Sequence, residues 1–441
     1  LRSRVSPRAI DSLAVLFVLL VLAPGCSRPR RPGIPPKNLI LITFDDLRPD
    51  HLSCYGALRP TGGLPRAKDG EDDDPRMTFD DLAESGVVFA NAYAPSGSTI
   101  VSLASLFTGR GPLESGVADE HAAIPADVPT LAETLRGAGF DTAACVTLHR
   151  VDPRWLSSRG FDTFATSATD DATVERAEQW LHRDLGDGRS FFLWLHLSGL
   201  APDWNQAPLD PEHNPRIFLG RFADPGYQGP ANGTAAYFDR VAKGELAPTP
   251  ADVAHTIDLY DEEITRVLGR ASGFLRRCFA YESSDVEATE CWSRTVLVLA
   301  STHGIELQDR GAVRLRPSLR DSVLRVPLVL RHPDSLTGER ILAAAVELQD
   351  VMPTVLEWFG LAIPAGVRGR SLLACTDTRA GRRFDERPVF ASIGERVFSV
   401  RTPRWRLILS PYAKPGAASA VLFDHDDDPA ELRDVAGEHA L

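Results

Sequence analysis

The chain has 441 residues, 43% of them apolar and 24% charged, with a formal net charge of −12. That length buries a large core and allows about two or three domains. The acidic balance argues against a nucleic-acid partner, because contacting a phosphate backbone takes clustered Lys and Arg.

Arg2, Arg4 and Arg8 precede an apolar stretch from Leu13 to Ala23. The stretch is shorter than the roughly 20 residues that span a bilayer and matches the core of a secretory signal peptide. Pro24-Gly25 ends it and Cys26 follows directly, an order that resembles a bacterial lipoprotein signal with Ala23 in place of the usual Leu. Residues 1–26 are therefore expected to be a lipoprotein-type signal, with Cys26 as the lipidated residue that anchors the chain to a membrane in the cell envelope. Residues 27–36, rich in Arg and Pro, read as an extended tether. Of the other cysteines, Cys278 and Cys291 flank a polar insert and are candidates to pair in an oxidising compartment; buried thiols are the expectation for Cys54 and Cys145.

From Asn38 to Phe44 the chain is apolar, and it then stops at Asp45-Asp46. Such a run predicts a buried parallel strand, and ligand sites in open α/β sheets lie beyond the carboxyl ends of such strands. Two adjacent acids there repel each other unless a cation sits between them, so the pair points to a divalent metal. Helical spacing predicts helices over Met77–Ser85, capped by Gly86, over Ile100–Thr108, ended by Gly109, and over Thr130–Arg136, closed by Gly137. Buried strands are expected at Phe140–Val146, Phe191–Leu197, Thr295–Ala300 and Val326–Leu330, a long amphipathic helix at Asp252–Leu275, and a further helix at Asp350–Phe359 that tolerates Pro353 near its start. The alternation predicts an α/β fold, a large mostly parallel sheet with helices on both faces, over residues 37–375. From about Pro388 short strands follow one another without helices, so residues 376–441 are expected to form a small antiparallel C-terminal subdomain.

Several segments together resemble the sulfatase family of the alkaline-phosphatase superfamily. They are the Asn38–Gly56 strand and loop, Ala94-Pro95-Ser96, Ala104–Arg110, Arg325-Val326-Pro327-Leu328, Pro353–Leu356, Gly369–Leu372, Leu422-Phe423-Asp424 and Asp428–Leu432. The resemblance covers the chain from Asn38 to Val435. It implies hydrolysis of sulfate esters at a divalent-metal site, calcium or magnesium, with Asp45, Asp46 and His303 as ligands and Thr302 where the family has a carboxylate. It places Thr99 at the nucleophile position, where the family carries a Cys or Ser that becomes formylglycine. Val101 and Leu103 replace the proline and arginine of that motif. His149 is retained from an anion-binding Lys-x-His whose lysine is Thr147. Ala201 stands where a second clamping histidine is expected, Arg316 falls near a final cation, and His196 reads as structural. Three readings stay open: a sulfate-ester hydrolase with an atypical site, a phosphoesterase or phospho-group transferase using Thr99, and a catalytically inactive surface-anchored protein. The partner implied is a sulfated or phosphorylated small molecule or glycan.

Overall fold

The structure is a computed structural model. It describes residues 36–62, 78–147, 158–184, 188–202, 204, 221–279, 286–308, 318–333, 340–376, 387–413 and 418–439. The signal stretch with Cys26, and the candidate residues His149 and Arg316, lie outside the described residues. Pro35–Leu441 form one compact unit.

Nine strands build the main sheet: β1 (Asn38–Phe44), β2 (Val87–Tyr93), β3 (Asp141–Thr147), β4 (Thr163–Ser167), β5 (Phe191–Leu197), β6 (Thr295–Ser301), β7 (Arg325–Val326), β8 (Leu328–Arg331) and β9 (Arg340–Glu347). Their order is β4-β3-β5-β1-β6-β8-β2-β7, with β9 on β2. The strands β4, β3, β5, β1 and β6 run parallel. Val326–Leu330 is not one strand: Pro327, which has no N–H to give a ladder, divides it into β7 and β8, both antiparallel to β2.

All seven residues of β1 are buried, as an apolar run covered on both faces requires. Leu39 and Leu41 join one core, Ile40, Ile42 and Phe44 the other. At about 1.5–3 kcal/mol for each large apolar side chain, these two layers dominate the favourable side of folding. The first core includes the helix Thr99–Thr108, every residue of which is buried. The second includes the helix Pro250–Phe279.

Gly109 closes the Thr99–Thr108 helix at φ +64°, as a left-handed glycine cap should. Two other expected glycine caps are corrected. The helix after Thr78 spans Phe79–Glu84 and turns at Ser85. Gly86 serves a different need there, because a Cβ would lie 2.6 Å from the Leu330 carbonyl oxygen. Gly137 lies inside its helix, Leu131–Gly137, and Gly139 at φ +91° makes the turn instead. Cys278 and Cys291 are corrected as well: both thiols are free. Cys291 Sγ instead accepts from Asn38 Nδ2 at 3.3 Å. Cys54 is half-buried, whereas Cys145 is buried as expected.

The C-terminal strands β10 (Val389–Ile393), β11 (Val397–Arg401), β12 (Trp405–Leu409) and β13 (Ala420–Asp424) form an antiparallel meander. Val389 and Ala391 pack with Tyr93, Leu319 and Leu324 in a small third core, which ties the meander to the main sheet.

Candidate functional site

The site begins with register. In the parallel pairs, Phe44 lies beside Leu197 on one side and Ser301 on the other. The residues that follow therefore leave the sheet together: Asp45-Asp46 from β1, Ser198-Gly199 from β5 and Thr302-His303 from β6. Backbone bonds from Asp45 N to Leu197 O (3.2 Å) and from Thr302 N to Phe44 O (2.8 Å) extend the ladders by one residue. Asp46 then turns at φ +58°, a conformation that strains a residue with a Cβ. Tyr260 holds the turn from beneath, donating to Asp46 O at 2.6 Å and accepting from Arg48 N at 2.9 Å.

Thr99 arrives from the other side, at the first turn of its helix. The N-cap residue is Ser98, and its side chain makes no capping bond. The Thr99 hydroxyl does not cap the helix either. It donates to Asp45 Oδ1 at 2.9 Å and lies 3.2 Å from His303 Nε2. Thr302 Oγ1 donates to the same Asp45 oxygen. His303 Nδ1 is 2.9 Å from the Gly304 carbonyl and 3.3 Å from Asp46 Oδ1, so the imidazole sits between Asp46 and Thr99. All of these side chains are buried, Asp45 completely.

Burial on its own would raise the Asp45 pKa. The imidazoles of His196 and His303 and the Thr302 hydroxyl outweigh it and hold the carboxyl well below the usual range. Asp45 is an anion at neutral pH.

The donor set bears on a divalent cation in two ways. Asp45 Oδ2 and Asp46 Oδ2 are buried without a hydrogen-bond donor. Orphan carboxylate oxygens in so dry a place are what a hard cation satisfies, and with the Thr99 and Thr302 hydroxyls they offer the oxygen ligands that calcium and magnesium take. The residues therefore fit a divalent cation, with one acid fewer than the family pattern. Three His or carboxylate ligand atoms within 4.8 Å of one another occur, among the described residues, at Asp321, His425 and Glu431. That group already holds a cation. The buried Arg406 guanidinium bonds both Asp321 and Glu431, and His425 Nε2 lies 2.9 Å from Glu431 Oε1. It is an ion network that joins β12 to the segment before β7.

Asp45, Asp46, Thr99 and His303 thus meet, as the sequence implied. Thr147 and Ala201 supply no cation. Thr147 Oγ1 bonds the buried Asp170 at 2.8 Å and Thr173 at 2.9 Å, and Asp170 also accepts from Ser198 N and Gly199 N. His196, read as structural, lies on β5 with its Nε2 3.4 Å from Asp45 Oδ2. Its signal was a lone histidine two residues before the Ser198-Gly199 exit, on the strand in register with Thr43. Asp170 gave no such signal, because only the fold brings its helix to the end of β3.

A mostly parallel α/β sheet whose strand ends gather two carboxylates, a helix-end hydroxyl and a histidine defines a protein of the alkaline-phosphatase superfamily. The chain belongs to the sulfatase family: its residues 37–273 match the sulfatase family model, and residues 316–441 match the N-sulphoglucosamine sulphohydrolase C-terminal model. An N-acetylglucosamine-6-O-sulfatase of Bacteroides thetaiotaomicron is 22% identical, over 97% of this chain and 87% of that one. A structure in complex with its substrate D-glucosamine-2-N,6-O-disulfate aligns with TM-score 0.66 at 18% identity, covering 92% of this chain and 94% of that one. The phosphonate monoester hydrolase of Agrobacterium radiobacter aligns with TM-score 0.65 at 17% identity, covering 92% of both chains. The family generally uses a divalent metal.

Proposed function

We propose that this chain is a hydrolase for the ester of a sulfated small molecule or glycan, with Thr99 as the attacking group. One observation carries the reading: Thr99 Oγ1 lies at a helix N-terminus, 2.9 Å from Asp45 Oδ1 and 3.2 Å from His303 Nε2. A hydroxyl that touches both a carboxylate and an imidazole is the arrangement of an activated nucleophile. The helix that starts at Thr99 places its positive end where an anionic ester group would sit. Asp45 and Asp46 would hold a divalent cation, calcium before magnesium, with His303 beside them. When bound, it would lower the pKa of the hydroxyl and offset negative charge as the ester is attacked. Asp45 orients the Thr99 hydroxyl, and the buried walls exclude water. The acceptable substrates follow from relatives that act on sulfated sugars. The chain is proposed to work outside the cytoplasm, anchored through Cys26.

A second reading is favoured by the residue type. Thr cannot become formylglycine, whereas an unmodified Thr hydroxyl can carry a phosphoryl group and release it to water. The phosphonate monoester hydrolase neighbour fits that reading. Turnover of aryl sulfate and aryl phosphate esters with calcium or magnesium decides. Sulfate turnover lost in Thr99→Ala supports the first reading, and phosphate turnover lost in the same variant supports the second. Turnover of neither ester by the wild type overturns both and leaves a binding protein.

A further inference from the structure

His196 is fully buried, and each of its neighbours has a defined use for its own hydrogen. Trp194 Nε1, a donor with no acceptor capacity, donates to Thr43 Oγ1 at 2.9 Å. Thr43 Oγ1 lies 2.8 Å from His196 Nδ1. On the other side of the ring, Ser198 Oγ donates to the Thr147 carbonyl at 3.2 Å and lies 3.3 Å from His196 Nε2. The same Nε2 faces Asp45 Oδ2 at 3.4 Å, an oxygen with no closer donor.

One hydrogen arrangement uses every group. Thr43, having accepted from Trp194, donates to Nδ1. Nε2 then carries the ring hydrogen and directs it at Ser198 Oγ, with Asp45 Oδ2 3.4 Å away. The opposite tautomer fails on three counts. The Thr43 hydrogen would have no acceptor in a fully buried place, Ser198 would have to abandon the Thr147 carbonyl, and Asp45 Oδ2 would face a lone pair. Unmade buried bonds of this kind cost about 1–3 kcal/mol each, so the first arrangement prevails.

We propose that Trp194, Thr43 and His196 form a relay in which His196, with a ring hydrogen on Nε2, positions Asp45. The Nε2 edge of His196 faces Oδ2 at 3.4 Å without a hydrogen bond, which leaves Oδ2 open to a cation and Oδ1 turned to the hydroxyls of Thr99 and Thr302. His196 is a positioning residue, since it acts through Asp45. The relay runs across two strands in register, Leu41 beside Trp194 and Thr43 beside His196, so neither strand can slip without breaking it. Outer partners of this kind typically change metal affinity by about 10–100-fold. The proposal rests on the reading of Asp45 as a site carboxylate.

Two measurements on the full chain test it. Long-range 15N–1H correlation spectra, with the His196 signals identified by their loss in His196→Gln, report the tautomer directly. The Nε2–H pattern is expected in the wild type; an Nδ1–H pattern overturns the relay. Calorimetric titration with calcium gives the second readout. His196→Leu should bind calcium about ten- to a hundred-fold more weakly than the wild type, and His196→Gln, whose amide can donate from the same side, should recover most of the loss. Equal affinity in His196→Leu and wild type, or no recovery in His196→Gln, overturns the positioning role. Should His196→Leu fail to fold, Thr43→Val tests the same link, with a shift towards Nδ1–H and weaker calcium binding expected. A wild type that binds no calcium removes the metal reading of the site, while the tautomer still decides the relay.

Discussion

Thr302 donates its hydroxyl hydrogen to Asp45 Oδ1, the same oxygen that accepts from Thr99. Where the family pattern has a third acid, this chain has a donor. The exchange lowers the negative charge of the pocket and leaves Asp45 doubly hydrogen-bonded. Calcium affinity in oxygen sites rises with the number of charged ligands. Thr302→Asp should therefore strengthen calcium binding by about tenfold or more, measured by titration calorimetry. The same variant in metal-free protein should melt at a lower temperature, because a third buried acid would face Asp45 without compensation. Unchanged calcium affinity would show that position 302 lies outside the coordination sphere.

Thr99 is the sharper test of chemistry. Thr99→Ser keeps the hydroxyl and should keep turnover within about tenfold. Thr99→Ala should abolish turnover of whichever ester the protein cleaves. The alanine variant also removes a hydrogen bond to a buried carboxylate, a loss of about 1–3 kcal/mol in stability by denaturant titration. Activity that survives Thr99→Ala would move the nucleophile elsewhere.

Much of this site could be read from the chain before its fold was described. The Asp45-Asp46 exit from an apolar run is a local pattern, Thr99 and the role of His303 followed from the family resemblance, and the strand-end residues meet because parallel strands in register end at one level. Strands such as β4 were not legible: Thr163–Ser167 has mixed burial and no apolar run. Pairing to β3 stabilises it instead. The role of His196 was hidden for a different reason. A histidine within an apolar strand is ambiguous until the hydroxyls around it are placed, and Thr43 comes from another strand, 153 residues away.

Gly304 follows His303 directly, and its missing side chain is a packing requirement. A Cβ there would lie 2.3 Å from the backbone oxygen of Ser322. Gly304 N also donates to Val323 O at 2.7 Å, which locks the two segments together. Gly304→Ala should cost about 1–3 kcal/mol in stability, as overpacking does, and should weaken calcium binding by displacing His303. A variant as stable as the wild type would mean that the Ser322 segment yields freely.

Arg387 compensates two buried acids, bonding Glu347 and, at 2.7 Å, Asp350. Burial drives the Glu347 carboxyl up to about 7 even with the guanidinium in place, and Asp350 is raised as well. A folded pKa above the unfolded value means the native state binds the extra proton. Stability from Glu347 is therefore fully present below the unfolded carboxyl value near 4.5 and is lost as pH rises through about 7. Arg387→Met leaves both acids uncompensated. At pH 8, where they are driven to ionise, the loss should be about 3–5 kcal/mol. At pH 5 protonation relieves the charge, so the loss should shrink to roughly half or less. Denaturant titrations of wild type and variant at both pH values measure the difference. A variant equally destabilised at pH 5 and pH 8 would assign Arg387 a packing role in place of charge compensation.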